Sequence, residues 1–328
     1  MVYYRNIKKK AGYLMEKQYS RRRFLHVVGM TGVGISAGAF IGCSSQAAQV
    51  TPKKPKEHAL SSDLILVRGD DPKKMTEAAL EALGGIDRLV KPNDVVIVKP
   101  NIAWDRTPEQ AATTNPLVVA SVVALCKKAG AKTVKVFDRT CNDARRSYDS
   151  SGIAKSAEEA GASVSYVLDR RFHQIQIPKG VSMREWNIYE DAATADVLIN
   201  IPIAKHHGNS RLTLGFKNMM GIAGGNRGTW HPEIHQRLAD FATVTAVDLT
   251  IVDAYRILTA HGPASGTAAD VRKEGLLVAG IDPVAVDAYC TTIFGLQPQE
   301  VGFVPRAHEH GLGEMDLQKI PQKEINLA

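Results

Sequence analysis

The chain has 328 residues, 44% hydrophobic and 23% charged, enough for one large domain or two small ones. Its formal charge is +7, but eight Lys or Arg (5, 8, 9, 10, 17, 21, 22, 23) against the single acid Glu16 precede Cys43, so the remainder is close to neutral. With no basic stripe interleaved with aromatics after that point, the distribution excludes a nucleic-acid-binding surface.

The first feature in chain order is Ser20-Arg21-Arg22-Arg23-Phe24-Leu25-His26, followed by an apolar, glycine-rich run over 27–42 and then Cys43. The paired Arg21 and Arg22 ahead of a weakly apolar run predict a twin-arginine signal, an address read by the export machinery. Residues 24–42 also approach the length of a membrane span, although glycines at 29, 32, 34, 38 and 42 dilute it. Gly42-Cys43 fits a lipoprotein box in which Cys43 becomes the lipidated first residue, and a multiply acylated cysteine anchors stably. Cleavage near Ala39 or Ala48 is the alternative, and Met15 is a second candidate start. The expected protein is exported to the periplasmic side of a Gram-negative cell and tethered to the membrane by lipid. Its expected organisation is a signal and lipobox over 1–43, a flexible polar linker over 44–62, and a single α/β domain over 63–328.

Within that domain, apolar runs predict strands at 64–67, 95–98, 134–137, 164–168, 197–201, 249–252 and 276–279. Helical spacing predicts helices at 72–83, 116–129, 151–160, 232–247 and 283–294, several opening on proline and closing on glycine. Continuous Val/Ile/Leu strands alternating with helices predict an α/β fold, a mostly parallel sheet with helices on both faces. In such folds the site collects at the carboxyl ends of the strands. Polar residues occur there: Lys99 and Asn101 after Val98, Asp138 and Arg139 after Phe137, Lys205-His206-His207 after Ile201 and Pro202, and Asp253 after Val252. Of the cysteines beyond Cys43, Cys126 and Cys290 read as core, and Cys141, after a strand end, reads as a candidate ligand or nucleophile. At most one disulfide can form among the three.

Taken together, several stretches resemble the domain of unknown function 362 family. They are Val98-Lys99-Pro100-Asn101, Ala112-Thr113-Thr114-Asn115-Pro116, Ala129-Gly130-Ala131, and 196–202 leading to Lys205-His206-His207. The match continues through Leu214-Gly215-Phe216-Lys217-Asn218-Met219-Met220-Gly221, His231, Asp253, and Asp282-Pro283-Val284-Ala285-Val286-Asp287-Ala288. The resemblance implies an association with iron–sulfur proteins, since some members carry an appended ferredoxin-like segment. A cluster needs several thiolates at short spacing, and the isolated cysteines here do not supply them, so no iron–sulfur cluster is expected within this chain.

Lys205, His206, His207 and Lys217 are the candidate catalytic residues, because desolvated lysines and imidazoles titrate near neutrality and bind anions. Lys99, Asn101, Asn218, Asp138 and Asp287 are the candidate substrate-binding residues, with a buried ion-pair network holding the strand tips as the alternative for Lys99 and Asp138. Asp282 is expected to cap the helix that starts at Pro283. Glycines at 215, 221, 224, 225 and 228 suggest an anion-binding nest. His231 and His235, four apart at a helix start, together with Asp253 form a candidate site for a divalent metal. The expected function is a metal- or cofactor-dependent enzyme acting on a small anionic molecule. The alternatives are a non-catalytic extracytoplasmic lipoprotein that captures a ligand or metal, and a redox or iron–sulfur-associated subunit.

Overall fold

Local sequence starts the elements and the sheet gathers them. The computed structural model of the chain describes residues 50–328 apart from Pro55 and His58; Arg21, Arg22, Cys43 and the expected signal lie outside the described residues. The first half contains β1 (Leu64–Arg68), α1 (Pro72–Ala82), β2 (Val95–Pro100), α2 (Pro116–Lys128), β3 (Thr133–Val136), α3 (Ala144–Ser150), α4 (Ile153–Glu159) and β4 (Ser163–Val164). A hairpin of β5 (Phe172–Gln176) and β6 (Glu185–Tyr189) follows, then α5 (Glu190–Thr194), β7 (Val197–Ile201), β8 (Ile203–His207), β9 (Arg211–Thr213) and α6 (Gly215–Asn218). The chain continues through α7 (Ile234–Ala242), β10 (Leu249–Leu258), β11 (Val271–Gly280), α8 (Pro283–Thr292), α9 (Phe303–Glu309) and β12 (Gln322–Asn326).

Three helices open on an Asx–Pro pair. Asp71, Asn115 and Asp282 accept hydrogen bonds from the first free N–H groups of α1, α2 and α8, and Pro72, Pro116 and Pro283 occupy the position where a missing N–H costs nothing. The expected cap at Asp282 is therefore present, and its other oxygen also accepts from Glu314 N at 2.8 Å.

The main sheet runs β12-β1-β11-β10-β7-β2-β3-β4, with β8 beside β10 and β9 beside β8. The pairs β10–β7, β7–β2, β2–β3 and β3–β4 are parallel, while β11 runs antiparallel between β1 and β10. The fold is α/β with a mostly parallel sheet covered on both faces. Side chains alternate across a strand, and both sides are apolar. Val96 and Val98 of β2 join one core with Met75, Val119 and Ile153, whereas Ile97 joins the other with Phe241, Val286 and Phe303. Each fully buried Val, Ile or Leu contributes about 1.5–3 kcal/mol of transfer free energy, which is why strands in this setting read as unbroken apolar runs.

The segment expected as a flexible linker is partly docked. Lys53 donates to Ala193 O at 3.1 Å through its backbone and pairs with Asp248 through its ammonium. Lys56 N donates to the same carboxylate at 2.7 Å, and the Lys56 ammonium pairs with Asp94. Asp248 also accepts from Leu198 N at 2.7 Å, so this buried acid ties the segment to the edge of β7. Among the described residues no helix is long and apolar enough to cross a membrane.

A cationic cleft at the strand ends

The carboxyl ends of β2 and β3 meet the β8–β9 hairpin, α6 and the loop after α6 around a cleft of about 550 Å3. Lys99, Lys205, Lys217, Arg139 and Arg227 all border it, and Asp138 is the one carboxylate among the described residues that line it.

Lys99 and Asp138 form the floor. Lys99 is 1% exposed, and its Nζ lies 2.8 Å from Asp138 Oδ1, 2.8 Å from Pro100 O and 3.0 Å from Asn218 Oδ1. The ammonium donates hydrogen bonds to Pro100 O and Asn218 Oδ1 and is ion-paired with Asp138. Burial pulls the Lys99 ammonium below its ordinary range, and Asp138 opposes that pull. Asp138 Oδ2 accepts from Ile102 N at 2.7 Å. Asn218 Oδ1 also accepts from Asn101 Nδ2 at 3.0 Å, and Asn218 Nδ2 donates to Asn200 Oδ1 at 2.8 Å and Lys99 O at 3.2 Å. Four of the expected substrate-binding residues are thus one buried network. Gly221 is built into it: a Cβ there would stand 1.8 Å from Asp138 Oδ1 and 2.5 Å from Lys99 Nζ.

The opposite wall is the β8–β9 hairpin. Lys205, His206 and His207 were expected as a loop and form a strand instead, because β10 runs on to Leu258 and offers β8 an edge. Strand alternation then splits the trio. Lys205 and His207 line the cleft, together with Thr213, which stands opposite Lys205 in the ladder. His206 is not among the lining residues, and its Nδ1 accepts from Gly262 N at 3.1 Å.

Lys205 is 1% exposed and donates to Ala112 O and, at 3.4 Å, to Pro263 O. No carboxylate among the described residues lies within ion-pair distance of it. Burial first, and then the neighbouring Lys217 ammonium, push the Lys205 ammonium down to about 7. Lys217 is pushed down to about 8, chiefly by burial, and its ammonium has no hydrogen-bond partner among the described residues. His207 Nδ1 accepts from Asn209 N at 3.1 Å. A ring nitrogen that accepts carries no proton, so neutral His207 keeps its proton on Nε2. Burial and the cations around it hold His207 far below the usual imidazole value, at about 2. Thr213 Oγ1 is buried with no partner among the described residues.

Arg227 was not singled out from the sequence, and Arg139 was noted only as following a strand. Arg227 donates to Arg139 O, Met220 O and Thr140 O at 3.0–3.1 Å, which pins the loop after β3 against the loop after α6. Arg139 donates to Ala223 O at 3.1 Å and Gly225 O at 2.9 Å. The available signal was an arginine set between Gly225 and Gly228 in the stretch already read as an anion nest. Cys141 is an exposed, free thiol at the rim, 3.9 Å from Arg227 Nη2, while Cys126 and Cys290 are free and buried as expected.

Asp287, Asp253 and His235 lie away from the cleft, whereas His231 borders it. Asp287 is fully buried behind α6 and accepts from Gly215 N at 2.7 Å and Phe216 N at 3.0 Å, so it caps that short helix instead of facing the cleft. Burial pushes its carboxyl up to about 7. Asp253 accepts from Asn115 N at 2.7 Å and Tyr255 N at 3.1 Å, fastening the start of α2 to β10, and burial pushes it up to about 6. The expected metal trio is not assembled. His231 sits in a 3₁₀ segment, Arg227–Glu233, and α7 begins only at Ile234, so His231 and His235 do not share an α-helical face. Both border a hollow beside α7, which Asp253 does not reach. Among the described residues no group of three or more His, Cys, Asp or Glu is placed to hold a metal ion.

Fold and site together define an α/β protein with one strongly cationic cleft at the carboxyl ends of its parallel strands. Residues 96–292 match the model of the family described as Domain of unknown function (DUF362), and the chain belongs to that family. It is 30% identical over 241 residues to a thylakoid-associated protein of Synechocystis sp., covering 71% of this chain and 73% of that one. Among solved structures, the lactate racemase apoprotein from Thermoanaerobacterium thermosaccharolyticum aligns at a TM-score of 0.43 with 13% identity, covering 80% of this chain and 62% of the other. A protein from Thermotoga maritima aligns at 0.37 with 13% identity, covering 56% of this chain and 51% of the other. The chain thus spans less than two thirds of either solved structure.

Proposed function

We propose that the cleft binds a small anionic substrate and that the protein is an enzyme acting on it, with Lys205 as the proton-transferring or nucleophilic group. One observation carries the reading: five cationic side chains border the cleft against a single carboxylate, Asp138, which Lys99 already neutralises. Buried like charges without counter-ions are costly, and an anionic ligand relieves that cost. Lys217, the Nε2–H of His207 and the hydroxyl of Thr213 are donors without partners among the described residues, suited to a carboxylate or phosphate. Lys99, Asn101, Asn218 and Asp138 shape the floor that holds the ligand in place.

Calorimetric titration of the full chain with malonate and with inorganic phosphate tests this. Saturable one-to-one binding of at least one anion is expected, weakening in Lys217→Gln. No saturable binding of either anion overturns the reading.

For location, the proposal is export through the twin-arginine machinery and a lipid tether at Cys43 on the periplasmic side. The consecutive pattern from Ser20 to Cys43 supports it, and the thylakoid association of the Synechocystis relative fits membrane attachment. Replacing Arg21 and Arg22 together by lysine should leave precursor in the cytoplasm; unchanged export would remove the proposal.

A further inference from the structure

Resting on the anion-binding reading, we infer that the cleft takes an anion that also carries a ketone or aldehyde carbonyl, a 2-oxo acid or its relatives, and that Lys205 condenses with that carbonyl. The lysines around the cleft are not equivalent. Lys99 donates to Pro100 O and Asn218 Oδ1 and is ion-paired with Asp138 at 2.8 Å, so its charge is already answered within the protein. Lys217 has no protein acceptor among the described residues and is a free ammonium donor for an anionic group. Lys205 has two acceptors, Ala112 O and Pro263 O. A neutral amine has two hydrogens and one lone pair. At Lys205 both hydrogens are met by carbonyls, and the lone pair is left for the cleft that the residue lines. An ammonium at the same place would bury a third hydrogen with no acceptor among the described residues and no carboxylate within ion-pair distance.

The surroundings agree with that state. Lys217 is the strongest charged neighbour that disfavours a second positive charge at Lys205, and the more distant Asp138 and Cys141 only partly oppose it. A lysine desolvated beside a second cation is the usual form of an activated amine nucleophile. Thr213, directly across the ladder from Lys205, supplies an unpartnered buried hydroxyl, and His207, two residues along on the same face, supplies an Nε2–H. A carbonyl oxygen delivered to Lys205 by an anionic group on Lys217 therefore meets neutral donors.

The step balances without an oxidant or reductant. The Lys205 nitrogen adds to the carbonyl carbon, forming a C–N bond as the C–O π bond breaks, and one of the two amine protons passes to the oxygen. The resulting hydroxyl takes one further proton from the Lys217 ammonium or solvent and leaves as water, while the nitrogen lone pair forms the C=N bond. The protonated imine withdraws electrons from the neighbouring carbon, so a proton or carboxylate there departs more readily. Hydrolysis returns the free lysine.

The test is reductive trapping. The full chain is incubated with pyruvate or 2-oxoglutarate and sodium cyanoborohydride, then digested and mapped by mass spectrometry. The expected result is one adduct per chain on the peptide carrying Lys205, absent in Lys205→Arg. Malonate, an anion without a carbonyl, is titrated in parallel and should compete with trapping. If malonate and the oxo acids bind but Lys205 carries no adduct, or adducts spread evenly over exposed lysines such as Lys323, the carbonyl inference is wrong and the anion reading stands. If neither malonate nor any oxo acid binds, both fall. The wild-type peptide map carries the result even where a substitution prevents folding.

Discussion

The strand tips of β2 and β3 and the β8–β9 hairpin face each other across the cleft, and each buries one lysine to 1% exposure. At the strand tips the charge is answered: Lys99 has a carboxylate, a carbonyl and an amide oxygen, and Asn101, Asn200 and Asn218 complete the network. On the hairpin it is not: among the described residues Lys205 has two carbonyls and no acid. A buried ion pair set in a hydrogen-bonded network holds a structure in one geometry, while a buried charge without a counter-ion is held against a cost that a ligand or a lost proton relieves. The first wall is therefore read as scaffold and the second as chemistry.

The sharpest way to break this comparison is to damage the scaffold. Asp138→Ala strands the Lys99 charge and should cost about 3–5 kcal/mol of folding stability, measured by urea denaturation. Gly221→Ala should have an effect in the same direction, since its methyl group meets Asp138 Oδ1. A loss under about 1 kcal/mol in both would mean that the network does not hold the strand tips.

Lys205→Met should behave in the opposite way, leaving stability within about 1 kcal/mol of wild type or raising it at neutral pH, because it removes an unanswered buried amine. It should also abolish trapping of a 2-oxo acid. A strongly destabilised Lys205→Met would place the hairpin lysine with the scaffold.

A pH series separates the two lysines further. Lys205 falls from its ordinary 10.5 to about 7 on folding. Between those values the unfolded chain holds a proton that the folded chain has released, so stability rises with pH and the gain is lost as pH falls through 7. Wild type should gain on Lys205→Met by about 1 kcal/mol per pH unit between pH 7 and 9. Over the same range malonate binding should weaken, as Lys205 and Lys217 lose charge, while oxo-acid trapping at Lys205 should strengthen. Parallel trends would contradict the division of labour between them.

The smallest effect concerns the docked segment near the start of the described chain. Lys53→Ala removes one partner of the buried Asp248 and should cost about 1 kcal/mol, because Lys56 N and Leu198 N still donate to the carboxylate, with faster limited proteolysis around 50–56. Unchanged proteolysis would show that Lys56 and the backbone contacts suffice.

Much of the fold was legible in the sequence. Strands 95–98 and 197–201 and the helices beginning at Pro72, Pro116 and Pro283 were all expected close to where they lie, because both faces of the sheet are covered and Asx–Pro starts are local signals. The β5–β6 hairpin, α3, α9 and β12 were not expected. Two of these, β5 and β12, have few buried positions, so alternation leaves little trace. The expected helix over 232–247 is shorter, Ile234–Ala242, and starts late because Pro232 falls inside a preceding 3₁₀ segment; the late start is what separates His231 from His235.

For the site, sequence alone determined which residue types stand at the strand ends and their membership of the Domain of unknown function (DUF362) family. Those are properties of short apolar runs and local spacing. Which way each polar group faces was decided only by tertiary structure. The Lys205-His206-His207 trio becomes a strand because β10 extends beside it, and a strand sends neighbouring side chains to opposite faces, so Lys205 and His207 enter the cleft and His206 does not. Asp253 follows an apolar strand run as Asp138 does, and Asp287 lies in α8, yet each is turned onto backbone N–H groups that only packing brings within reach. The charge of a side chain is local, whereas the groups that answer it arrive from distant parts of the chain, as the Asp138 carboxylate and the Asn218 amide do for Lys99.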